Sequence, residues 1–198
     1  MLGRLHQALG PGTPVKPPQR VAERWQSYRE AVTGDSAFDR QVVLLANAAE
    51  GCPTVDWALQ PAGLCHGDVH PDNLLFDETG RVAAILDFDN AAPGWQGVEL
   101  MMAWNLCLCA DPAEPALTEE GAAFFAGYRS LGVMPHAAWA SLPDVYCCSL
   151  LASTWPVGLY YRDPSGFRPD WLEILSLRYR VARWLEVHGP AMAAWLTA

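Results

Sequence analysis

The sequence has almost no lysine. Lys16 is the only one among 198 residues, and 13 Lys+Arg stand against 22 Asp+Glu, for a formal net charge of −9. Proteins that bind nucleic acid usually carry a basic surface, so this balance argues against a nucleic-acid partner. With 51% hydrophobic and 18% charged residues, the composition is that of a globular chain and excludes general disorder.

Long apolar runs and paired cysteines are also missing. The longest apolar run, residues 100–110, is interrupted by Asn105, whereas a membrane span needs about 20 apolar residues. Residues 1–7 contain no continuous apolar stretch, which argues against a signal peptide. None of the cysteines forms a C-x-x-C pair; they occupy positions 52, 65, 107, 109, 147 and 148. We therefore expect free thiols, a cytoplasmic protein and no membrane partner.

The pattern that is present predicts a mostly helical protein. Apolar residues at helical spacing predict helices at about 2–9, 21–32, 36–50, 98–109, 118–131, 136–153, 170–188 and 191–197. The helix at 36–50 is expected to start with Ser36 as its N-cap, with Asp39 three residues later. Residues 10–18, with four prolines and two glycines, predict a loop.

Short apolar runs predict three strands within this helical chain, at 64–66, 74–76 and 82–86. A turn at 77–80 joins the last two into a hairpin. The expected fold class is therefore α+β and mostly helical, in a single domain over residues 1–198. A parallel α/β fold fits this order of elements poorly.

Residues suited to chemistry are concentrated in segments 66–73 (HGDVHPDN) and 85–90 (ILDFDN). The segments flank the predicted hairpin, so strand pairing would bring Asp68, Asn73 and Asp87 to the same end of the sheet. Carboxylate and amide oxygens are the ligands that Mg²⁺ prefers. A carboxylate outside the coordination of a metal could act as a general base.

Parts of these segments allow other interpretations. The D-x-D of residues 87–89 also resembles the pattern with which glycosyltransferases hold a metal–nucleotide complex. His66, Asp68 and His70 alternate, and on a strand all three would face one side as metal ligands. Neither alternative uses Asn73 or the hairpin. Asp72 and Asp77 fit turn positions.

Together, H-G-D-V-H-P-D-N followed by L-D-F-D resembles the catalytic core of the aminoglycoside phosphotransferase and choline kinase group, a branch of the protein-kinase-like fold. Kinases separate the catalytic-loop Asp and Asn by four residues, as Asp68 and Asn73 are separated here. Asp87 follows Asn73 by fourteen positions, across the hairpin. The resemblance implies the C-terminal catalytic lobe of that fold, ATP and Mg²⁺ as cofactors, and a small-molecule acceptor with a hydroxyl group.

The resemblance also implies a set of catalytic residues. Asp68 would orient the acceptor hydroxyl and take its proton. His66 would brace the loop by hydrogen bonding, and His70 would face the transferred phosphoryl group. Gly67 would permit the turn of the loop. Glu99, in a V-E-L segment where relatives have D-L-A, would support the loop from outside.

For the metal and the nucleotide, the resemblance implies a second set of residues. Asn73 and Asp87 would hold the Mg²⁺ ions that bridge the nucleotide phosphates. Asp89 stands where protein kinases have a glycine, and it would either join the metal site or cap the following loop.

The abundant aromatic residues fit a buried core, and some of them could alternatively form a pocket for the acceptor. A cationic acceptor could be held by cation–π contacts and carboxylates. The candidates are Trp139, Trp155, Tyr160, Tyr161, Asp144 and Asp163.

The N-terminal nucleotide lobe implied by the resemblance has no counterpart among these residues. Lys16 lies in the proline-rich loop with no strand before it, and Gly10 and Gly12 lack the spacing of a phosphate loop. We therefore expect either a missing lobe or a homodimer, and no activity from the isolated chain. The alternative function is a non-catalytic kinase-like module for binding or dimerisation.

Overall fold

The structure is a computed structural model that describes residues 1–9 and 15–198. The first part of the loop predicted at 10–18 lies outside the described residues. The helices are α1 (Leu2–Leu9), α2 (Val21–Ala31), α3 (Ala37–Glu50), α4 (Gln96–Leu108), α5 (Glu119–Arg129), α6 (His136–Trp139), α7 (Leu142–Ala152), α8 (Trp155–Arg162) and α9 (Pro169–Thr197). The strands are β1 (Ala62–Cys65), β2 (Leu74–Phe76), β3 (Val82–Ile85) and β4 (Ala92–Trp95). The predicted α+β, mostly helical fold class is confirmed.

The strands form two separate antiparallel pairs. The β2–β3 pair is the predicted hairpin, and it aligns Leu74 with Ile85. The second pair, β1–β4, aligns Ala62 with Trp95 at one end and Cys65 with Ala92 at the other. The sequence did not predict β4, because its proline and glycine are poor strand formers and only pairing with β1 holds them extended.

Helix α3 begins as its sequence predicts. The Ser36 hydroxyl accepts a hydrogen bond from the backbone N–H of Asp39 (3.0 Å), and the Asp39 carboxylate accepts one from the Ser36 N–H (3.2 Å). This reciprocal capping box satisfies backbone donors that the first turn of a helix leaves unpaired.

Three helical segments differ from the prediction. The helix expected at 136–153 is divided into α6 and α7, and Pro143 lies in the first turn of α7, where no backbone hydrogen bond is lost. The two helices expected at 170–188 and 191–197 are one helix, α9, with Pro190 inside it. Helix α8 was not predicted, because it is only eight residues long and contains both a proline and a glycine.

The core lies mainly among α3, α4, α7 and α9. Trp25, Trp104 and Trp139 are almost fully buried there, and the indole N–H of Trp25 donates to the Leu151 carbonyl (2.6 Å). Strand β1 contacts α1 and α4. The core therefore fixes the point at which the chain leaves β1 and enters the first polar segment.

In the part of the chain that the structure describes, no helix combines the length and the hydropathy needed to cross a bilayer.

Candidate active site

The two polar segments form loops, which we name the HGD loop (residues 66–73) and the DFD loop (residues 86–90). His66 is fully buried and connects them. Its Nε2–H donates to the Leu86 carbonyl (2.7 Å), and its Nδ1 accepts from the backbone N–H of Asp68 (3.3 Å). Because both ring nitrogens are occupied, the structure does not support the alternative in which His66, Asp68 and His70 bind one metal as alternating ligands.

The two loops are in direct contact at Gly67. Its φ is +83°, and a Cβ built there would lie 2.4 Å from the Asn90 carbonyl oxygen. The ring of Phe88 meets that of His66 edge to face, with centroids 4.5 Å apart. A glycine is therefore required at this position both for the backbone conformation and for the space.

The Asp68 side chain lies between the two loops, and one of its two carboxylate oxygens accepts a hydrogen bond. Asn90 Nδ2 donates to Asp68 Oδ2 (3.3 Å), whereas Asp68 Oδ1 has no hydrogen-bond partner among the described residues. His70 Nε2 lies 3.8 Å from Asp68 Oδ2, and the His70 side chain is half-buried. Sequence reasoning did not single out Asn90 as the residue that orients Asp68.

Asn73 lies at the end of the hairpin, and its side-chain NH2 group is hydrogen-bonded within the HGD loop. Its Nδ2 donates to the Asp68 carbonyl (2.9 Å) and to His70 Nε2 (3.1 Å). The Leu86 N–H donates to the Asn73 carbonyl (2.8 Å). Asp87 is the next residue, so the hairpin brings Asn73 and Asp87 to the same end of β2–β3, as the spacing predicted.

Asp87 has a φ of +58°, in the left-handed region that few residues other than glycine adopt. Asp87 Oδ1 accepts a hydrogen bond from the backbone N–H of Asp89 (3.3 Å). Asp87 and Asp89 are both exposed. Asp72 is exposed in the turn of residues 71–73, and Asp77 accepts from three groups in the β2–β3 turn, as expected for turn residues.

The donor set at this end of the hairpin fits a hard divalent cation. Both N–H groups of the Asn73 amide are used, and Asn73 Oδ1 and Asp87 Oδ2 have no hydrogen-bond partner among the described residues. Amide and carboxylate oxygens of this kind suit Mg²⁺.

A buried chain of hydrogen bonds supports the HGD loop from the helical side. Glu99 Oε1 accepts from the Gly67 N–H (2.6 Å), and Glu99 Oε2 lies 2.6 Å from His6 Nε2. His6 Nδ1 in turn lies 2.6 Å from the Tyr128 hydroxyl. We call these three side chains the buttress. Glu99 is placed as predicted, but His6 and Tyr128 were missed. The available signal was a histidine four residues after Leu2, on the buried face of α1.

Burial and hydrogen bonding act in opposite directions on the buttress. Burial alone would raise the pKa of Glu99, but the hydrogen bonds from His6 and from the Gly67 N–H outweigh it, so the pKa lies below its ordinary value. Cys65 has a ligand atom within 4.8 Å of those of His6 and Glu99. Burial, together with the Glu99 charge, raises the pKa of the Cys65 thiol to about 12, so the thiol is protonated at neutral pH when no metal is bound.

A cleft of about 760 Å³ extends from Asp68 into the helical region. Its walls come from β4, α4, α7 and α9, and they include Trp95, Tyr146, Trp155 and Arg178. Its size suits a small molecule. A hydroxyl group at the Asp68 end would therefore belong to a ligand whose body lies among the helices.

The structure does not bring the predicted aromatic and acidic acceptor residues together. Trp139 is buried in the core, and Asp144 lines a separate cavity of about 200 Å³. The Tyr161 hydroxyl donates to Asp39 (2.9 Å), and Asp163 caps the turn that follows it. Of the predicted set, only Trp155 lines the cleft.

Comparison with known proteins identifies the class of the chain. The phosphotransferase enzyme family has a family model that matches residues 1–134, and the chain belongs to that family. The resemblance inferred from the HGD and DFD loops is therefore confirmed at the level of the family. No curated protein matches the sequence.

Several solved structures are similar to the chain, among them the following two. An aminoglycoside phosphotransferase from Alicyclobacillus acidocaldarius has a TM-score of 0.49 and 17% identity, over 99% of this chain and 57% of that protein. The amicoumacin kinase hAmiN, in complex with AMP-PNP, Ca²⁺ and Ami, has a TM-score of 0.46 and 18% identity, over 92% of this chain and 56% of that protein. The chain thus spans little more than half the length of either structure.

Proposed function

We propose that these residues are the metal- and acceptor-binding lobe of a phosphotransferase that moves the γ-phosphoryl group of ATP to a hydroxyl of a small molecule. The observation that carries this proposal is the position of Asp68. Its carboxylate is fixed by contacts between two loops, has one oxygen free, and lies at the end of a cleft large enough for an acceptor. Membership of the phosphotransferase enzyme family supports it.

In this mechanism Asp68 Oδ1 accepts a hydrogen bond from the acceptor hydroxyl and directs the oxygen at the γ-phosphorus. As the new O–P bond forms, the bond between the γ-phosphorus and the β–γ bridging oxygen breaks, ADP departs, and the hydroxyl proton passes to Asp68. Such a transfer depends chiefly on positioning and charge stabilisation. His66 keeps the HGD loop in place, and His70, beside Asp68, faces the transferred group.

Asn73 Oδ1 and the Asp87 carboxylate would hold Mg²⁺, with exposed Asp89 available on the same loop. When bound, the metal neutralises charge on the phosphates. The Asp89 N–H orients the Asp87 carboxylate, and the Asn73 amide links this end of the hairpin to the Asp68 backbone. The same residues would therefore position both the metal and the catalytic base.

We further propose that the nucleotide is enclosed by a part of the protein that is not among these residues. The one lysine, Lys16, is exposed in a segment without helix or strand, and the exposed DFD loop would cover the phosphates from one side only. Six free thiols are consistent with a reducing, cytoplasmic environment.

The test measures alcohol-dependent ADP formation with Mg·ATP, using the product of the full natural reading frame and a panel of hydroxyl compounds. We expect turnover that Asp68→Asn abolishes, and none from residues 1–198 alone. Binding of hydroxyl compounds with no transfer under any condition would instead indicate the non-catalytic binding module.

A further inference from the structure

Among the described residues, the cleft is lined by one basic side chain, Arg178 of α9, and no acidic side chain pairs with it. Its Nη1 donates to the Ser153 carbonyl (2.7 Å), and its Nε and Nη2 have no hydrogen-bond partner among the described residues. Arg180, two residues further along the same helix, is in the opposite situation. It pairs on the surface with Glu114 (2.8 Å) and Asp111 (3.6 Å).

Arg178 is charged in spite of its surroundings. Burial lowers its pKa to about 10, which still leaves the guanidinium protonated at neutral pH. Removing a charge from water without a counterion is costly. The cleft therefore places an incompletely compensated positive charge where a ligand would lie.

Apart from the aromatic rings of Trp95, Tyr146 and Trp155, the rest of the lining offers little to a cation. Helices α7 and α9 contribute no carboxylate to the cleft. Its acidic side chains are Asp68, which the proposed mechanism reserves for the hydroxyl, and Glu99, which is engaged with the Gly67 N–H and His6. An ammonium group deep in the cleft would thus meet Arg178 rather than a carboxylate.

The free edge of Arg178 has a definite shape. One N–H of Nη1 is bonded to the Ser153 carbonyl, whereas Nε–H and the adjacent Nη2–H remain open and lie side by side on one edge of the guanidinium. Two parallel N–H groups on that edge match the two oxygens of a carboxylate.

We propose that the acceptor carries a carboxylate, which pairs with the Nε–Nη2 edge of Arg178 while its hydroxyl lies at Asp68. The role of this ligand as phosphate acceptor rests on the proposed function. The preference of the cleft for an anion is independent of that function. Arg178 is then a specificity-determining residue, and the acceptor is a hydroxy acid rather than an amine.

The experiment compares three probes that share a benzyl alcohol and differ only in the group across the ring. These are 4-(hydroxymethyl)benzoate, 1,4-benzenedimethanol and 4-(aminomethyl)benzyl alcohol, an anion, a neutral diol and a cation. Affinity is measured by calorimetry on the full chain without nucleotide. We expect the anion to bind about tenfold or more tightly than the diol, because hydrogen bonds between charged groups are the strong ones, and the amine to bind most weakly.

Three variants locate this preference. Arg178→Met should remove the advantage of the anion, Arg178→Lys should keep part of it, and Arg180→Met, the same change on the same helix but outside the cleft, should keep all of it. Equal or tighter binding of the diol or the amine to the unmodified protein overturns the inference. So does an anion preference that survives Arg178→Met. If circular dichroism shows that Arg178→Met does not fold, the order of the three probes on the unmodified protein and on Arg178→Lys decides.

Failure of this inference is distinguishable from failure of the proposed function. An anion preference without any phosphate transfer, in the presence of Mg·ATP and the full natural protein, would leave the Arg178 site standing and refute the phosphotransferase. Transfer to amino alcohols in preference to hydroxy acids would support the phosphotransferase and refute the Arg178 site.

Discussion

Gly67 is a residue that the site cannot replace. Any side chain there must adopt a φ of +83° and also displace the Asn90 carbonyl, because its Cβ would lie 2.4 Å from that oxygen. We expect Gly67→Ala to lower the free energy of unfolding by about 2 kcal/mol or more, as strain and a steric clash add. The matched control is Gly80→Ala, whose φ is +76° but which has no atom within 4 Å of the new Cβ.

Urea denaturation measures both changes. Gly80→Ala should cost only about 1 kcal/mol, for the left-handed backbone alone. Equal losses in the two variants would show that contact between the loops adds nothing to the strain at Gly67.

Substitutions of Asp68 and of Asp87 should impair different properties, turnover in the first case and nucleotide binding in the second. In the full natural protein, Asp68→Asn should lower kcat by about 10²–10⁴-fold or more, since it removes the general base, with little change in nucleotide affinity. Asp87→Ala should instead abolish metal-dependent nucleotide binding. Steady-state kinetics and Mg·ATP titration separate the two effects. Asp77→Asn, in the exposed hairpin turn, serves as control, and near-normal turnover by Asp68→Asn would refute the assignment.

Glu99 should give the protein an acid-sensitive component of stability. Its folded pKa is lower than the unfolded value of about 4.3. The ionised carboxylate therefore stabilises the fold above that pH, and the stabilisation is lost as the pH falls through the folded pKa. Relative to the unmodified protein, Glu99→Gln should cost about 1–3 kcal/mol near pH 7.

The measurement is the difference in free energy of unfolding between the two proteins from pH 7 to pH 3. The difference should begin to shrink as the pH falls below the unfolded pKa of about 4.3, and it is lost as the pH falls through the lower folded pKa of Glu99. The exposed substitution Glu78→Gln should show no such dependence. A constant difference across this range would mean that ionisation of Glu99 does not hold the loop.

At the scale of elements, α9 continues through Pro190 although a proline removes a backbone hydrogen bond. Met192 and Leu196 beyond it are buried, as is Leu185 before it, so packing on one face maintains the helix. Replacing Pro190 with Ala restores a donor for the Glu186 carbonyl, and we expect stabilisation of about 1–3 kcal/mol. Pro169→Ala, at the first position of the same helix, should change stability little, because no bond is lost there. Thermal unfolding compares them, and no gain from Pro190→Ala would contradict the argument.

The sequence predicted the elements that are formed by local signals. Helix α3 follows from Ser36 and Asp39, and the β2–β3 hairpin follows from its apolar runs and its turn. Strand β4 and helix α8 could not be predicted, because each contains proline and glycine and takes its shape from its partners. The continuity of α9 likewise depends on buried contacts that a local rule about Pro190 does not include.

In the candidate site, too, the sequence predicted the parts that depend on local signals and missed the parts that depend on distant contacts. The spacing of Asp68, Asn73 and Asp87 was enough to predict that they share one end of the hairpin. In the buttress, His6 contacts Glu99 and Tyr128, which lie 93 and 122 positions away, and the cleft is lined by residues from 65 to 181. No local pattern could therefore reveal His6, Tyr128 or the lining of the cleft. The aromatic acceptor pocket was expected from nearness in sequence, and the helices carry those residues to different places.

At the scale of the whole molecule, four large apolar side chains of the β2 strand and the DFD loop are exposed, and we call them the apolar strip. Its members are Leu75 (49% exposed), Phe76 (57%), Leu86 (41%) and Phe88 (44%). Apolar surface of this kind favours association. We expect residues 1–198 to form a concentration-dependent symmetric dimer through this strip.

Light scattering across a concentration series measures the dimer. Phe76→Glu should shift the equilibrium to the monomer, whereas Val187→Glu, an equally polar change at a 67%-exposed site on α9, should not. A strict monomer at high concentration would count against the dimer. Loss of association in both variants would show that the strip is not the interface.

The buttress also sets an order of assembly during synthesis. The groups of the buttress come from both sides of the HGD loop in the chain: His6 precedes it, and Glu99 and Tyr128 follow it. On the ribosome, His6 must therefore remain without its partners until α4 and α5 have emerged. The loop that carries Asp68 would acquire its supported shape only after α5 has left the exit tunnel.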